Sequence, residues 1–269
     1  MNTNASAEGS WIRNPKRRGR QCQVLFVAVL SLALVPPLRA AFHLWAVDEI
    51  YSNADGTVQY IEMRETSGGI GGQHPLASNG ARLQVRTATA TNTILFPTNL
   101  PSGSANKAFI IGTASLAFVP GGVVPNYIVA NGFVFREGAN ILFGNATTPF
   151  ENITYGAVPT NGTSALLRSG ATMTTVTTNS PRNYANQSNS IVPVKIGSAA
   201  RLNSDLVISF ATATGPNGAA GPNYAVETKS DAASTTWSPA TNVTGNGTTK
   251  SVALPIQFEE NKLFRLRAP

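Results

Sequence analysis

Four oxygen-bearing side chains near the start of the chain could bind a cation: Asp48, Asn53, Asp55 and Glu62. In the stretch EIYSNADGTVQYIEMRE, residues 49–65, three of them and Gly56 match the third, fifth, sixth and twelfth positions of an EF-hand calcium loop. The first position, which needs a carboxylate, is Tyr51, and the flanks lack the helices of an EF-hand. We therefore do not predict an EF-hand. A calcium site of another geometry, which could also use Glu49, remains an open hypothesis.

The same stretch predicts a β-hairpin. Asn53-Ala54-Asp55-Gly56 separates two strand-like segments, residues 42–51 and 57–63. Gly56 supplies the positive φ that a tight turn between two strands requires. We prefer this interpretation to a metal site.

The rest of the chain offers little catalytic chemistry. Its two histidines, His43 and His74, are far apart in sequence, and His74 follows a glycine-rich segment that we interpret as a flexible loop. The sequence has no serine-nucleophile elbow, no Walker loop and no histidine or cysteine pair at zinc spacing. A carboxylate pair for glycoside hydrolysis stays open, because the fold could bring together Glu49, Asp55 and Glu62. We predict a non-catalytic protein without a cofactor.

Residues 1–40 have the layout of a secretory signal peptide. A basic segment precedes the apolar run Val24–Val35, and Ala40 offers a small residue for cleavage. Twelve apolar residues are too few to span a bilayer, which needs about 20, although an uncleaved membrane anchor is the alternative. We therefore expect a helical signal segment and a secreted or cell-envelope protein.

Removal of this segment changes the charge of the chain. The segment holds six of the 20 basic residues, one of the 13 acidic residues and the single cysteine, Cys22. The remainder carries 14 basic and 12 acidic residues, a net charge of +2. The high pI therefore does not indicate a nucleic-acid partner. Without Cys22, the exported chain would have no disulfide and no thiol chemistry.

Residues 41–269 predict an all-β fold, because short alternating runs recur between Gly, Pro and Asn and no helical period is sustained. The clearest run is Ala81–Arg86, in which Leu83 and Val85 point inward. Further strands are predicted at 93–96, 107–112, 133–135, 140–143 and 152–155, and then at 206–210, 224–228, 236–239, 249–254 and 262–266. We predict an immunoglobulin-like β-sandwich over 41–192, a linker over 193–201, and a smaller β-sandwich module over 202–269 with Trp237 in its core.

The first predicted domain resembles the lamin-tail domain. The similar segments are WAVDEI at 45–50, QYIEM at 59–63, FP at 96–97, FII at 109–111, ITYG at 153–156 and GTSAL at 162–166. The resemblance covers roughly residues 42–190. It lacks the family's asparagine after the second strand and the tryptophan of the next segment. It implies an immunoglobulin-like sandwich that serves in binding or anchoring, as in secreted bacterial proteins.

The C-terminal segments YAVET at 224–228, TWSP at 236–239 and FRLR at 264–267 resemble a small fibronectin-type-III-like module. Such modules end many secreted proteins of Verrucomicrobia and Planctomycetes. This resemblance implies a structural or adhesive role.

These observations predict an exported, non-catalytic protein that acts in binding, adhesion or envelope structure. Its partner would be a protein or a polysaccharide at the cell surface, with membrane contact only through an uncleaved signal segment. The alternative is a divergent extracellular hydrolase, or a calcium-dependent binding protein, that uses the hairpin between Asp48 and Glu62.

Two sets of residues allow more than one interpretation. Aromatic residues could form a sugar-binding face, although we interpret them as core: Tyr127, Phe133, Phe135, Tyr155 and Tyr184. Six N-x-S/T sequons could accept glycans in a eukaryote, although a composition rich in Asn and Thr explains them more simply: Asn145, Asn152, Asn161, Asn186, Asn242 and Asn246.

Overall fold

The computed structural model describes residues 42–69, 71–215, 219–256 and 262–267, and these are almost entirely β-structure. Helical structure within these ranges is limited to short 3-10 turns at Ala77–Asn79 and Ala114–Phe118. The predicted all-β class is therefore confirmed. The expected signal helix lies outside the described residues.

The first ten strands form one mixed sheet in the order β4-β3-β7-β8-β10-β9-β1-β2-β5-β6. Their bounds are β1 Trp45–Ser52, β2 Gln59–Glu65, β3 Arg82–Arg86, β4 Thr91–Leu95, β5 Ala108–Thr113, β6 Tyr127–Val129, β7 Ala139–Gly144, β8 Pro149–Tyr155, β9 Ser164–Ser169 and β10 Thr172–Thr178.

This sheet folds over on itself into a sandwich. Among the described residues, the backbones of its two halves pair at a single position, where β8 and β10 run parallel and Tyr155 lies opposite Met173. Residues from both halves then share one core: Phe109 of β5 contacts Phe96, which follows β4, with ring centroids 6.0 Å apart. The alternation predicted for β3 is confirmed, because Leu83 and Val85 are fully buried in this core.

An irregular layer covers the outer face of β1, β2 and β5. We call residues 179–192 the strap, because this segment crosses that face between β10 and the C-terminal strands. Ile191 of the strap and Leu116 of the second 3-10 turn pack on Tyr51 and Tyr60 in a second buried cluster. The side chains on both faces of β2 are therefore almost all buried.

The prediction of a strand at 133–135 is wrong. This segment is a loop, although Phe133 and Val134 are buried. The side chain of Gln59 replaces a neighbouring strand: its Oε1 accepts from the Val134 N–H at 3.0 Å, and its Nε2 donates to the Val134 carbonyl at 2.9 Å. Because one amide satisfies the buried backbone, no β-ladder is needed there.

The C-terminal strands form two three-stranded sheets, ordered β11-β12-β15 and β14-β13-β16. Their common core contains Ile208, Phe210, Tyr224, Val226 and Leu254. The bounds of these strands are β11 Ile196–Leu202, β12 Asp205–Ala211, β13 Asn223–Lys229, β14 Ser238–Thr244, β15 Thr249–Pro255 and β16 Leu263–Arg267.

Two sequence predictions for this region need correction. The proposed linker at 193–201 is too long, because β11 begins at Ile196 and pairs along β12. Its side chains are nearly all exposed, so no apolar alternation marked it as a strand. Trp237 is only half-buried and lies outside the core, with Lys229 and Arg265 within 4.9 Å and 4.5 Å of its ring centroid. From Phe42 onward, the described residues belong to one compact unit.

Candidate functional site

The predicted hairpin is confirmed at the opening stretch. β1 and β2 pair antiparallel from Trp45–Glu65 to Ser52–Gln59, and Gly56 has φ +74° in the turn between them. The Asn53 side chain accepts a hydrogen bond from the Val58 N–H at 3.0 Å, which closes the turn.

Asp55 stabilises the same turn. Its Oδ1 accepts from the Thr57 N–H at 3.0 Å and from the Thr57 hydroxyl at 2.6 Å. Partial desolvation acts to raise the pKa of the Asp55 carboxyl, but these hydrogen bonds outweigh it and hold the pKa below its ordinary value.

The four candidate metal ligands separate into two pairs. Asn53 and Asp55 lie in the turn, whereas Asp48 and Glu62 both contact Arg64 farther along the hairpin. Glu62 is three residues beyond Gln59, about 10 Å along the strand from the turn. Within the described ranges, no group of three or more His, Cys, Asp or Glu side chains is placed to hold a metal ion. Calcium binding at this hairpin stays an untested alternative to the plain turn.

A β-bulge at Asp48 brings two carboxylates face to face. Val47 pairs with Met63, and the next pair is Glu49 with Glu62, so Asp48 is the extra residue. Directly paired residues project from the same face of a sheet, so the bulge places both glutamates on the outer face, beneath the strap. Glu49 and Glu62 are only 2% and 1% exposed.

The strap donates hydrogen bonds to both glutamates. The Ser180 N–H and hydroxyl donate to Glu49 at 2.8 Å and 3.1 Å, and the Tyr60 hydroxyl is a third donor to Glu49. The Arg182 N–H donates to Glu62 at 2.7 Å. The two carboxylates therefore satisfy backbone groups that the strap would otherwise bury without partners.

Burial dominates the protonation of this pair. It raises the pKa of Glu62 to about 8, against the opposing effect of the Arg182 hydrogen bond, and the charges of Glu49 and Asp48 act in the same direction as burial. Burial also raises the pKa of Glu49, despite the hydrogen bonds from Tyr60 and Ser180.

The structure thus brings Glu49 and Glu62 together, as the carboxylate-pair hypothesis required, but leaves Asp55 in the turn. In this conformation the strap covers both glutamates, and a substrate cannot reach either of them. Their arrangement can hold a proton and the strap, but it offers no open face for general acid–base chemistry.

An open cleft of about 970 Å³ lies beside the hairpin turn. One wall comes from the turn and the strap, and the other comes from β13, β14 and β16. Its polar lining includes Asp55, Thr160, Asn223, Asn242 and Arg267, all of which are exposed. The hydrolase alternative requires a cleft beside this hairpin, but the sequence did not indicate the far wall, because the C-terminal strands share no motif with the turn.

The other sequence candidates have structural roles. Tyr127, Phe133, Tyr155 and Tyr184 are buried, and Phe135 packs against the same core, so the interpretation of these aromatic residues as core is confirmed.

The loop that leads to His74 is anchored rather than flexible around Gln73. The Gln73 carbonyl accepts from the Trp45 indole N–H at 2.8 Å, and its buried side chain accepts from the Leu44 N–H at 3.1 Å. The two histidines, His43 and His74, belong to no candidate metal cluster among the described residues.

Three sequons form turns. The side-chain oxygens of Asn145, Asn161 and Asn246 each accept a hydrogen bond from the N–H two residues later, at 2.9 Å, 3.0 Å and 3.2 Å. An Asn that bonds the backbone two residues on makes an Asx-turn, which suits the ends of hairpins. At Asn145 and Asn246 the hydroxyl of the Thr two residues later donates to the same oxygen, so both residues of these sequons stabilise the turn.

No protein-family model matches the chain, and no curated protein is significantly similar to it in sequence. Within the ranges that the structure describes, no helix has both the length and the apolar character needed to cross a bilayer.

Proposed function

We propose that this chain is an exported, non-catalytic binding protein that acts in adhesion or cell-envelope structure. In this proposal, residues 42–190 are a lamin-tail-like domain and the C-terminal strands are a fibronectin-type-III-like module. The sandwich serves as a scaffold, and the cleft beside the Asn53–Gly56 turn receives a protein or polysaccharide partner.

The contrast between the two polar sites carries the proposal. Glu49 and Glu62 have perturbed protonation but are sealed beneath the strap, whereas the polar groups of the open cleft are mainly neutral amides and hydroxyls, set among apolar side chains such as Val192, Pro193 and Leu266. Among its described lining residues, only Asp55 and Arg267 carry charge. Neutral donors and acceptors suit recognition better than proton transfer, because they do not exchange protons near neutral pH.

Co-sedimentation tests the binding role. The purified full chain is mixed with insoluble polysaccharides and with immobilised denatured collagen, and it is assayed in parallel on chromogenic glycosides, phosphoesters and esters. We expect retention on at least one polymer and no turnover. Turnover that is lost in Glu62→Gln would instead support the hydrolase alternative, and a lack of retention on every polymer would contradict the binding role.

N-terminal sequencing tests export. The chain is expressed with its first 40 residues in a secreting host, and the product is recovered from the medium and from the membrane fraction. We expect a mature product that starts at Ala41. A membrane-bound product that starts at Met1 would support an uncleaved anchor at Val24–Val35.

A further inference from the structure

We propose that the cleft binds a neutral, hydroxyl-rich polysaccharide across the face of the β14-β13-β16 sheet. This inference rests on the proposed binding function and specifies its ligand. Its basis is a row of three residues on neighbouring strands: Arg267, Ala225 and Asn242.

The row has a definite shape. Ala225 of the central strand pairs with Asn242 on one side and with Arg267 on the other, so the three side chains project from one face. Neighbouring strands lie about 4.8 Å apart, which places Asn242 and Arg267 about 10 Å apart. The small Ala225 side chain leaves a depression between them, where a sugar ring can lie.

The polar groups around this depression are available to a ligand. The side-chain amide of Asn242 makes no hydrogen bond to any described residue, and the Arg267 side chain is 67% exposed, with one long contact to Glu227 at 3.6 Å. On the opposite wall, the residues Thr160 and Asp55 are exposed. Carboxamides and hydroxyls both donate and accept, as sugar hydroxyls do.

Charge and backbone geometry favour a glycan over other polymers. The lining carries one carboxylate and one guanidinium, so it has no net charge to attract a polyanion. An extended peptide would bind best to an unpaired strand edge. Here β13 is paired on both sides, and the cleft contacts the face of its sheet.

Affinity measurements on matched variants test the site. The full chain is titrated with soluble dextran, xylan and laminarin, with heparin and gelatin as the polyanionic and peptide probes. Ala54→Trp fills the cleft from the exposed turn, and Asn242→Ala removes the free amide. Ala146→Trp is the control for the first, because Ala146 is also an exposed residue that directly follows an Asn in a turn. Asn152→Ala, an exposed strand asparagine outside the cleft, is the control for the second.

We expect at least one neutral glycan to bind, with a loss of about tenfold or more in affinity for both cleft variants and a change of less than about twofold for both controls. Glycan binding that survives Ala54→Trp would overturn the location. Binding of gelatin or heparin alone, if sensitive to Ala54→Trp, would overturn the ligand class but leave the binding function standing. A lack of binding to every probe would contradict both. Circular dichroism of each variant confirms that it is folded.

Discussion

Glu62 links the pH of the solution to the stability of the fold. Its carboxyl is buried and paired with Glu49, and the nearby ionisable groups are Asp48, Arg64 and Tyr60. Its pKa is about 8 in the folded chain and about 4.3 in an unfolded one. Between these values the folded chain binds the extra proton, so the free energy of unfolding falls as pH rises and levels off above pH 8.

This linkage predicts that Glu62→Gln flattens the pH profile. The amide oxygen can still accept from the Arg182 N–H, but no buried charge develops at high pH. We expect the variant to be more stable than the wild type at pH 9, by on the order of a few kcal/mol, and closer to it at pH 5. Urea denaturation at pH 5, 7 and 9 measures the difference. Glu137→Gln, at an exposed acid, serves as the control, and parallel profiles for wild type and Glu62→Gln would refute the linkage.

Substitution of Gln59 should cost more stability than the size of its side chain alone would suggest. Gln59→Leu removes both side-chain hydrogen bonds that satisfy the buried backbone of Val134. We expect a loss of about 2–5 kcal/mol, because two buried polar groups lose their partners. Equilibrium denaturation measures this loss. Gln84→Leu, on the half-exposed face of β3, should change stability by less than about 1 kcal/mol. Equal effects at the two positions would contradict the role of Gln59.

At the scale of elements, the strap depends on close backbone contact with the Pro120–Gly122 turn. A Cβ at Gly121 would lie 1.8 Å from the Ser190 carbonyl oxygen, and φ at Gly121 is +75°. Gly132 has the same φ of +75°, with no atom within 4 Å of an added Cβ. The two glycines therefore separate backbone strain from steric collision.

We expect Gly121→Ala to displace the strap and Gly132→Ala to leave it in place. Strain at positive φ costs both variants roughly 1 kcal/mol, but only Gly121→Ala meets a backbone atom. Hydrogen exchange at the Ser180 and Arg182 amides reports on the strap, and it should accelerate in Gly121→Ala alone. Equal exchange in both variants would show that the contact with Ser190 does not hold the strap.

Elements whose side chains alternate could be predicted from the sequence, and elements held by backbone partners could not. Leu83 and Val85 identified β3 because one face of that strand is core. β11 escaped prediction because its small, exposed side chains leave only backbone pairing to define it. Among site residues, the turn around Gly56 followed from local chemistry. The pairing of Glu49 with Glu62 could not be derived in this way, because it depends on the bulge at Asp48. The cleft could not be derived either, because its walls come together only in the tertiary structure.

At the scale of the whole molecule, buried apolar side chains are distributed unevenly. Among the described residues, the main sandwich core contains 27 buried residues, whereas the core of the C-terminal strands contains five. Strands β14 and β16 have no fully buried side chain. Since apolar burial is the main stabilising contribution, the two regions should open with different free energies.

Hydrogen exchange of the full chain tests this difference. We expect amides of β1, β2 and β5 to exchange only through global unfolding, and amides of β11, β14 and β16 to exchange at least about tenfold faster through local opening. Peptide-level mass spectrometry resolves the two groups. Uniform protection across all these strands would indicate that the chain unfolds as one cooperative unit.

The route of the strap also decides how the chain responds to tension. If the C-terminal strands hold a polymer while the sandwich is fixed, the pulling force enters the sandwich at residue 193. The bond from the Val192 N–H to the Pro120 carbonyl is then loaded first, followed by the bond from the Ile191 N–H to Asn179. Rupture would peel the strap backwards, one bond at a time, and uncover Glu49 and Glu62. Mechanical load would thereby expose both carboxyl groups to water and remove the desolvation that raises their pKa values.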